Sequence, residues 1–535
     1  MKNVNLFKFK YLIVIALSIT FGCTNTEKKE TKNTAIKQET KLAQKPPMGW
    51  NSFDSYGVYL HEDAAMANLE AFAEKLKQHG YEYFVIDAGW FGEFELKEGT
   101  IYPAEKHAKK LNFNEYGLLQ PSKTYFPNGL KPIIDRCHEL GLKFGLHLMR
   151  GIPRAAVEQN TRVKGTEYYA RDIADTTSIC TWNDQNYGVD MSKPGAQEFY
   201  NSLINQMADW GVDFIKYDDL VPFPEEVEGV ANAIEQNDRP IVYSLSPGGK
   251  VDANAINSFK RANMLRVTND IWDEQKGIDE AFAAWRKWQG KEEPGFWIDM
   301  DMIPFGQLQL MSPKPEGVEG SESKKEIQQK INSGELSNVE LLAGKGWSRQ
   351  SELSEDQMYT FITMRALAAS PLMMGGDLPT LDDFSLSLIT NPTILKCNQN
   401  GVTGSLKYDE ENIEVWNTPR VNTSEGWIGI FNRSEENSSV TLNKNELGLD
   451  ENKDYKFLEL KSSSSLKSIL DEYEVTKEEL FEVNPSLKNE GVSDGLVIKI
   501  PQFEAAESEY KKLNLEEDLQ YLSTKTIGLM LPFSM

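Results

Sequence analysis

Short apolar runs alternate with stretches of helical periodicity from residue 46 onward. The runs are 83–90 (YFVIDAGW), 143–149 (KFGLHLM), 213–219 (DFIKYDD), 240–245 (PIVYSL), 264–268 (MLRVT), 295–301 (GFWIDMD) and 371–376 (PLMMGG). A first strand lies within 47–53 (PMGWNSF). Helical spacing covers 63–79, stopped by Gly80, and 131–140, stopped by Gly141. It also covers 193–210 and 354–370, the latter opening on a capping box of Ser354 and Gln357. Eight strands alternating with helices over 46–398 predict an α/β fold, a (β/α)8 TIM barrel. After Gly401 the pattern changes to short β-forming runs at 413–416, 427–431, 438–442 and 526–532. These predict an antiparallel β-sandwich over 399–535.

Polar residues gather where the predicted strands end: Asp87, His147, Asp218, Asp270 and Asp301. In a barrel the carboxyl ends of the strands carry the chemistry. The fourth strand is the most informative. Side chains alternate along it, so Lys216 and Asp218 share a face and Asp219 takes the other. Asp218 is read as a nucleophile, and Lys216 as holding the substrate beside it. Several carboxylates in one mouth suit glycoside hydrolysis, in which one attacks the anomeric carbon and another protonates the leaving oxygen. Asp218 and Asp270 fit those two parts. Lys216 would favour an ionised neighbouring carboxylate. Arg266 shares parity with Asp270, and Asp299 and Asp301 share it with Trp297, predicted to be an aromatic platform. The carboxylate spacing matches no metal-binding motif.

Composition narrows the classes. The net charge of −24 over 535 residues excludes a nucleic-acid partner, whose phosphates would be repelled. Four Cys, at 23, 137, 180 and 397, give neither a zinc pattern nor a disulfide framework. Residues 1–23 have a basic start, an apolar run too short to span a bilayer, and the ending TFGC. That ending resembles a bacterial lipobox, which makes Cys23 the lipidated first residue of an exported lipoprotein, in the periplasm or on the cell surface. Its membrane contact would be through that anchor alone. Residues 24–45 are polar and lack aromatics, which suits a flexible tether.

The motifs Pro46-Pro47-Met48-Gly49-Trp50-Asn51-Ser52, Lys216-Tyr217-Asp218, Arg266 to Asp270, Trp297-Ile298-Asp299-Met300-Asp301-Met302, and Ser370-Pro371-Leu372 with Gly376-Asp377-Leu378 occur in order with barrel spacing. Together they resemble glycoside hydrolase family 27. The resemblance implies a retaining α-glycosidase, foremost an α-galactosidase, with Asp218 as nucleophile and Asp270 as acid/base. It implies sugar contacts from Asp87, Lys216, Arg266 and Asp301, an oligo- or polysaccharide substrate, and no cofactor. Departures bear on specificity. Ala88 replaces the second of two adjacent acids, His147 stands for a Tyr, and Phe53 for a Trp. Ser246 occupies the place that reads the 2-substituent, as in the α-N-acetylgalactosaminidase type. The family's disulfide beside the nucleophile is absent. The alternatives are an α-N-acetylgalactosaminidase, an isomalto-dextranase-like enzyme, or a non-catalytic glycan-binding surface lipoprotein. Residues 462–502 resemble a LysM module, which implies peptidoglycan or another N-acetylglucosamine-containing glycan as a partner. Long insertions at 102–126 and 151–186 are expected at the pocket mouth, and 313–346 reads as a solvated excursion.

Overall fold

The computed structural model describes residues 42–104, 108–220, 223–312, 346–423, 425–434, 438–440 and 442–452, with the short pieces 456–457, 476–478, 481, 521–523 and 528–534. Eight parallel strands form one curled sheet. They are β1 (Met48–Asn51), β2 (Tyr83–Ile86), β3 (Lys143–Met149), β4 (Phe214–Asp218), β5 (Val242–Ser246), β6 (Met264–Arg266), β7 (Trp297–Asp299) and β8 (Leu372–Met374). Their order across the sheet is β7-β6-β5-β4-β3-β2-β1-β8. The two outer strands meet through a single parallel bridge, Ile303 to Met374, just past the end of β7.

Helices connect the strands: α1 (Glu62–Lys75), α2 (Lys131–Glu139), α3 (Ala196–Trp210), α4 (Pro224–Gln236), α5 (Gln275–Trp288) and α6 (Glu355–Leu367). Between β5 and β6 a 3-10 helix, Ala253–Phe259, takes that place. Their ends follow local chemistry. Gly80 (φ 89°) and Gly141 (φ 70°) provide the left-handed turns that stop the first two helical segments. At α6, Ser354 accepts from Gln357 N and the Gln357 side chain accepts from Ser354 N, the predicted capping box. Inside the sheet, Tyr83, Val85, Phe214, Val242, Met264, Met302 and Met373 pack into one apolar cluster. This plug fills the interior below the carboxyl edge, so chemistry is confined to that edge.

Downstream, β9 (Ser405–Glu410), β10 (Ile413–Pro419), β11 (Gly426–Asn432), β12 (Lys456–Phe457) and β13 (Gly528–Ser534) make an antiparallel sheet in the order β9-β10-β11-β13-β12. A separate two-stranded ladder pairs Ser438–Val440 with Tyr521–Ser523. The sheet docks on α5. Trp285 stacks on Trp416 with ring centroids 3.6 Å apart, and Phe282 meets Phe431 edge-on at 5.0 Å. Arg286 reaches across to Asp409 (2.6 Å) and Glu414 (2.9 Å). One hydrophobic cluster includes Trp285, Trp416, Trp427 and Phe431, so the predicted boundary at 398/399 is crossed by a shared core.

The signal segment with Cys23, nearly all of the tether, and the excursion at 313–345 lie outside the described residues. So does the LysM-like stretch apart from 476–478 and 481, where 477, 478 and 481 are helical.

Candidate active site

Parallel strands put their carboxyl ends on one edge, and the pocket there is lined by Asn51 (β1), Lys216 (β4), Ser244 and Ser246 (β5), Arg266 (β6), and Asp299 and Asp301 at the end of β7. Its floor is Phe214, Met264, Met302 and Met373, and the space among these residues, continuous with solvent, is about 330 Å³. Register explains the convergence. His147 pairs with Lys216, Ser246 with Asp218, and Arg266 with Asp299, so each stands level with the next.

Asp218 closes β4. Asp219 N donates to its Oδ1 at 2.8 Å, and His147 Nε2 lies 3.3 Å from its Oδ2. Burial works against its ionisation. The His147 bond and the charges of Arg266, His147 and Lys216 outweigh burial and hold the carboxyl below the usual range. Lys216 Nζ sits 2.8 Å from Asp87 Oδ2, with the Phe53 ring centroid 5.9 Å away. Asn51 Nδ2 donates to the same Asp87 oxygen at 2.7 Å, Ala88 N donates to Oδ1 at 2.7 Å, and Ser52 Oγ accepts from Asp87 N. Burial alone would raise Asp87, but the charges of Lys216 and His147 and the bonds from Lys216 and Ala88 N bring it below its ordinary value.

Across the pocket, Arg266 Nη1 lies 2.5 Å from Asp270 Oδ1 and 3.6 Å from Asp301 Oδ2. The Asp270 side chain is 58% exposed at the mouth, whereas Asp301 is buried. Ile271 N also donates to Asp301 Oδ2 at 2.8 Å. Asp299 faces the pocket behind them. Burial and then the Asp301 charge push it up to about 6. Ser246 Oγ is buried without a hydrogen-bond partner, on a residue that lines the pocket. Phe53 packs near Trp272, centroids 6.4 Å apart, forming an aromatic wall beside Lys216.

The structure thus brings Asp87, His147, Lys216, Asp218, Ser246, Arg266, Asp270 and Asp301 to one mouth, with Phe53 at its side. Trp297 is a correction. Its indole is fully buried and donates to Ala43 O at 2.7 Å, so it forms no sugar platform. Parity gives the face of a strand but not the depth, and Trp297 lies four residues below Asp301.

Asn51 and Asp54 join the site without having been named as candidates, and Asp299 and Arg150 take up places in it. Asn51 is the last residue of β1, and Asp299 shares its side of β7 with Asp301. Arg150 follows β3 and binds Asp219. Asp54 lies in a short helix (Phe53–Tyr56), buried, with Oδ2 unpartnered and packed against Gly375. Burial, reinforced by Asp301, raises Asp54 well above the usual carboxylate range. Asn51 had a signal, a polar residue at a strand end; Asp54 had none. Among the described residues, no group of three His, Cys, Asp or Glu side chains is placed to hold a metal, and Cys137, Cys180 and Cys397 are buried free thiols.

A Melibiase family model matches residues 22–245. The crystal structure of a family 27 β-L-arabinopyranosidase from Geobacillus stearothermophilus, a variant in complex with arabinose, is similar at 36% identity. The match covers 78% of this chain and 91% of that one, with a TM-score of 0.67. A proposed α-N-acetylgalactosaminidase from Bacillus halodurans C-125 is 30% identical over 92% of this chain and 97% of its own, with a TM-score of 0.66. The α-galactosidase of Cyamopsis tetragonoloba is 24% identical, covering 82% of this chain and 88% of the relative.

Proposed function

The chain belongs to glycoside hydrolase family 27, and on that premise we propose that it is a retaining exo-glycosidase for pyranosides of the galacto configuration, with β-L-arabinopyranosides ahead of α-D-galactosides. The observation that carries the chemistry is the hold on Asp218. Both its oxygens have a partner, at 2.8 and 3.3 Å, and the carboxyl sits below its usual range beside Lys216 and Arg266. A partly buried carboxylate held in this way is a prepared nucleophile.

In the first step an Asp218 oxygen bonds to the anomeric carbon as the glycosidic C–O bond breaks. The Asp270 proton passes to the departing oxygen. In the second step water attacks the same carbon and gives its proton to Asp270, and the Asp218 carboxylate is released. Two inversions give net retention. Asp87, Lys216, Arg266 and Asp301 present paired charges to the ring hydroxyls, and Asp299 stands behind them.

The pair Asp87-Ala88 supports the pentose preference. β-L-Arabinopyranose has the ring stereochemistry of α-D-galactopyranose but a hydrogen in place of the C6 hydroxymethyl group. Asp87 is already engaged by Lys216, Asn51 and Ala88 N, and Ala88 offers no further acceptor for a sixth-position hydroxyl. A site without that acceptor loses little when the hydroxyl is missing. The relative described with arabinose points the same way. Ser246, with its unpartnered hydroxyl, supports α-N-acetylgalactosaminide as a second reading.

The test is turnover of four aryl glycosides (β-L-arabinopyranoside, α-D-galactoside, α-N-acetylgalactosaminide and α-D-glucoside) by the wild type and by Asp218→Asn. The highest kcat/KM on the arabinopyranoside, abolished in the variant, is the expected result. Preference for the α-galactoside would overturn the specificity, and activity surviving Asp218→Asn would overturn the nucleophile.

The same proposal takes the curled sheet as a closed (β/α)8 barrel, the C-terminal strands as a sandwich, and Cys23 as a lipid anchor on an exported chain. It takes 462–502 as a LysM-like module for peptidoglycan. The basic start, apolar run and TFGC ending support the anchor. Loss of membrane association in Cys23→Ala and retention of the whole protein on peptidoglycan sacculi are the expected outcomes. A membrane-bound Cys23→Ala or an unbound protein would count against each.

A further inference from the structure

Asp219 follows the proposed nucleophile, and its φ of 60° lies in the left-handed region, which costs a residue with a side chain. Its N–H is the one that donates to Asp218 Oδ1. A relaxed φ would swing that N–H off the carboxylate, so something must hold Asp219 in place. Arg150 does so. Its Nε donates to Asp219 O at 2.6 Å and its Nη2 to Asp219 Oδ2 at 3.0 Å. Its Nη1 donates to Glu226 Oε1 at 2.6 Å and to Ser178 Oγ at 3.0 Å. The guanidinium lies over the Phe223 ring, 3.5 Å from the centroid. Its own backbone N donates to Asp218 O at 3.0 Å. Glu226, the far end of the clamp, is fixed in turn by Tyr200 Oη (2.5 Å) and Val189 N (3.0 Å).

We propose that Arg150 is a positioning residue for the glycosidic reaction: by gripping both the carbonyl and the carboxylate of Asp219, it keeps the Asp219 N–H on Oδ1 of the nucleophile. Arg150 is buried with its donors taken up by Asp219, Glu226 and Ser178, so it acts through Asp219, and the proposal rests on the reading of Asp218 as nucleophile. The same construction recurs across the pocket. Asp301 has a φ of 73°, its N–H donates to Asp299 Oδ1 at 2.9 Å, and its carbonyl accepts from the buried Arg365 Nη1 at 2.8 Å. At both places a left-handed Asp after a strand aims its N–H at the preceding pocket carboxylate, and a buried arginine pins its carbonyl.

The groups facing Asp218 are His147 on β3, Lys216 on β4 and Arg266 on β6, and all remain in the variants below. A carboxylate that loses an N–H partner binds its proton more tightly. In Arg150→Met, kcat is expected to fall about tenfold to a hundredfold, KM to change less than about threefold, and the acidic limb of kcat/KM to move up by about one pH unit. Arg150→Lys is expected not to restore either value, since a point charge cannot span Asp219 and Glu226 as a planar fork does. Arg150→Met leaves Glu226 buried without its cation. Asp219→Asn is therefore the companion variant; it tolerates the left-handed backbone and removes only the charged half of the clamp. Its expected loss in kcat is about threefold to tenfold; the limb is read only in Arg150→Met, because losing the Asp219 charge itself favours an ionised Asp218.

Trapping with a 2-deoxy-2-fluoro glycosyl fluoride separates the two layers of the argument. Wild-type label on a residue other than Asp218, or no label, overturns the nucleophile reading and this proposal with it. Label on Asp218 at the wild-type rate in folded Arg150→Met and Asp219→Asn overturns this proposal alone. So would wild-type kcat and an unmoved acidic limb, or full recovery in Arg150→Lys.

Discussion

Replacing Lys216 by Met removes the ammonium but keeps most of the stem's bulk. The partner left behind is Asp87, 2% exposed, with Lys216 itself 13% exposed. Breaking a buried pair from one side costs about 3–5 kcal/mol, because the remaining charge is uncompensated. Asp87 keeps the bonds from Asn51 Nδ2 and Ala88 N, so the lower end applies, about 3 kcal/mol, roughly a hundredfold in the folded-to-unfolded ratio. The pH dependence follows from both partners. Burial lowers Lys216, but Asp87, Asp301 and Asp218 outweigh burial and the opposing Arg266, so its folded pKa is raised. That contribution is complete below the ordinary lysine value and is lost as pH rises through the folded one. Asp87 is depressed when folded, so its contribution is complete above the ordinary aspartate value and lost as pH falls through the folded one. The pair therefore stabilises between about pH 4 and pH 10. Without Lys216, burial is the leading influence left on Asp87, and its folded pKa rises. The carboxyl can then take up a proton on mild acidification and escape the unpaired state. Urea unfolding at about pH 5, 7 and 8.5 should show the loss in Lys216→Met largest at the alkaline end and smallest at the acidic end. Adding Asp87→Asn should recover at least half of it. A loss below about 1 kcal/mol near neutrality, or one equal at the two extremes, would refute the reasoning.

Asp218→Gly should lose at least about a thousandfold in kcat and regain part of it with added azide, giving a glycosyl azide of inverted configuration; a retained product configuration would count against a single displacement by azide in the vacated space. Ala88→Asp should move the ratio of kcat/KM for α-galactoside over β-L-arabinopyranoside upward by about tenfold, the scale of one pocket contact, and an unchanged ratio would remove Ala88 from the specificity argument. Trp285→Ala deletes the ring stacked on Trp416 and opens a cavity in the core shared by α5 and the C-terminal sheet; the expected loss is about 3–5 kcal/mol by chemical unfolding, and a loss below about 1 kcal/mol would show that this core is not shared.

What the sequence revealed is uneven, for physical reasons. β3 occupies 143–149 as read, because KFGLHLM is largely apolar and ends where Gly151 takes φ 85°. β6 and β7 are shorter than their apolar runs, 264–266 and 297–299, because the chain leaves the ladder early to turn Asp270 and Asp301 into the pocket. The sequence reading singles out no helix at α4 or α5, although Pro224 opens α4 and Ile278, Phe282 and Trp285 share a face of α5. In α6 the periodicity is blurred, since every residue from Met358 to Leu367 is buried between the curled sheet and the C-terminal sheet. The polar strand ends gave most of the site. Arg150 itself stands at such an end, but its grip on Asp219 depends on a backbone angle there, and Asp54 matters through a buried oxygen without a hydrogen-bond partner. Both are facts of three-dimensional packing that leave no mark on spacing.

The charge balance of the mouth connects these features to the reaction. Asp87, Asp218, Asp270, Asp299 and Asp301 converge on Lys216 and Arg266, with Asp54 buried close behind. Carboxyl groups outnumber the fixed cations, and burial raises two of them, Asp54 and Asp299, rather than letting the whole set ionise at once. Glycoside cleavage develops positive charge on the sugar ring. A pocket already short of cations needs no rearrangement to stabilise that charge, and its donors stay fixed while it forms. The buried arginines fit the same logic. Arg365 and Arg150 direct donors to backbone carbonyls and to Asp219, away from the ring, so they hold the carboxylates in place without adding a cation where the positive charge appears. Arg266 is the exception, bonded to Asp270 at 2.5 Å, the carboxyl proposed above to exchange the proton in each step. Its neighbour Asp301 shares the guanidinium at 3.6 Å, which gives Arg266 a second carboxylate to turn to when Asp270 carries the proton.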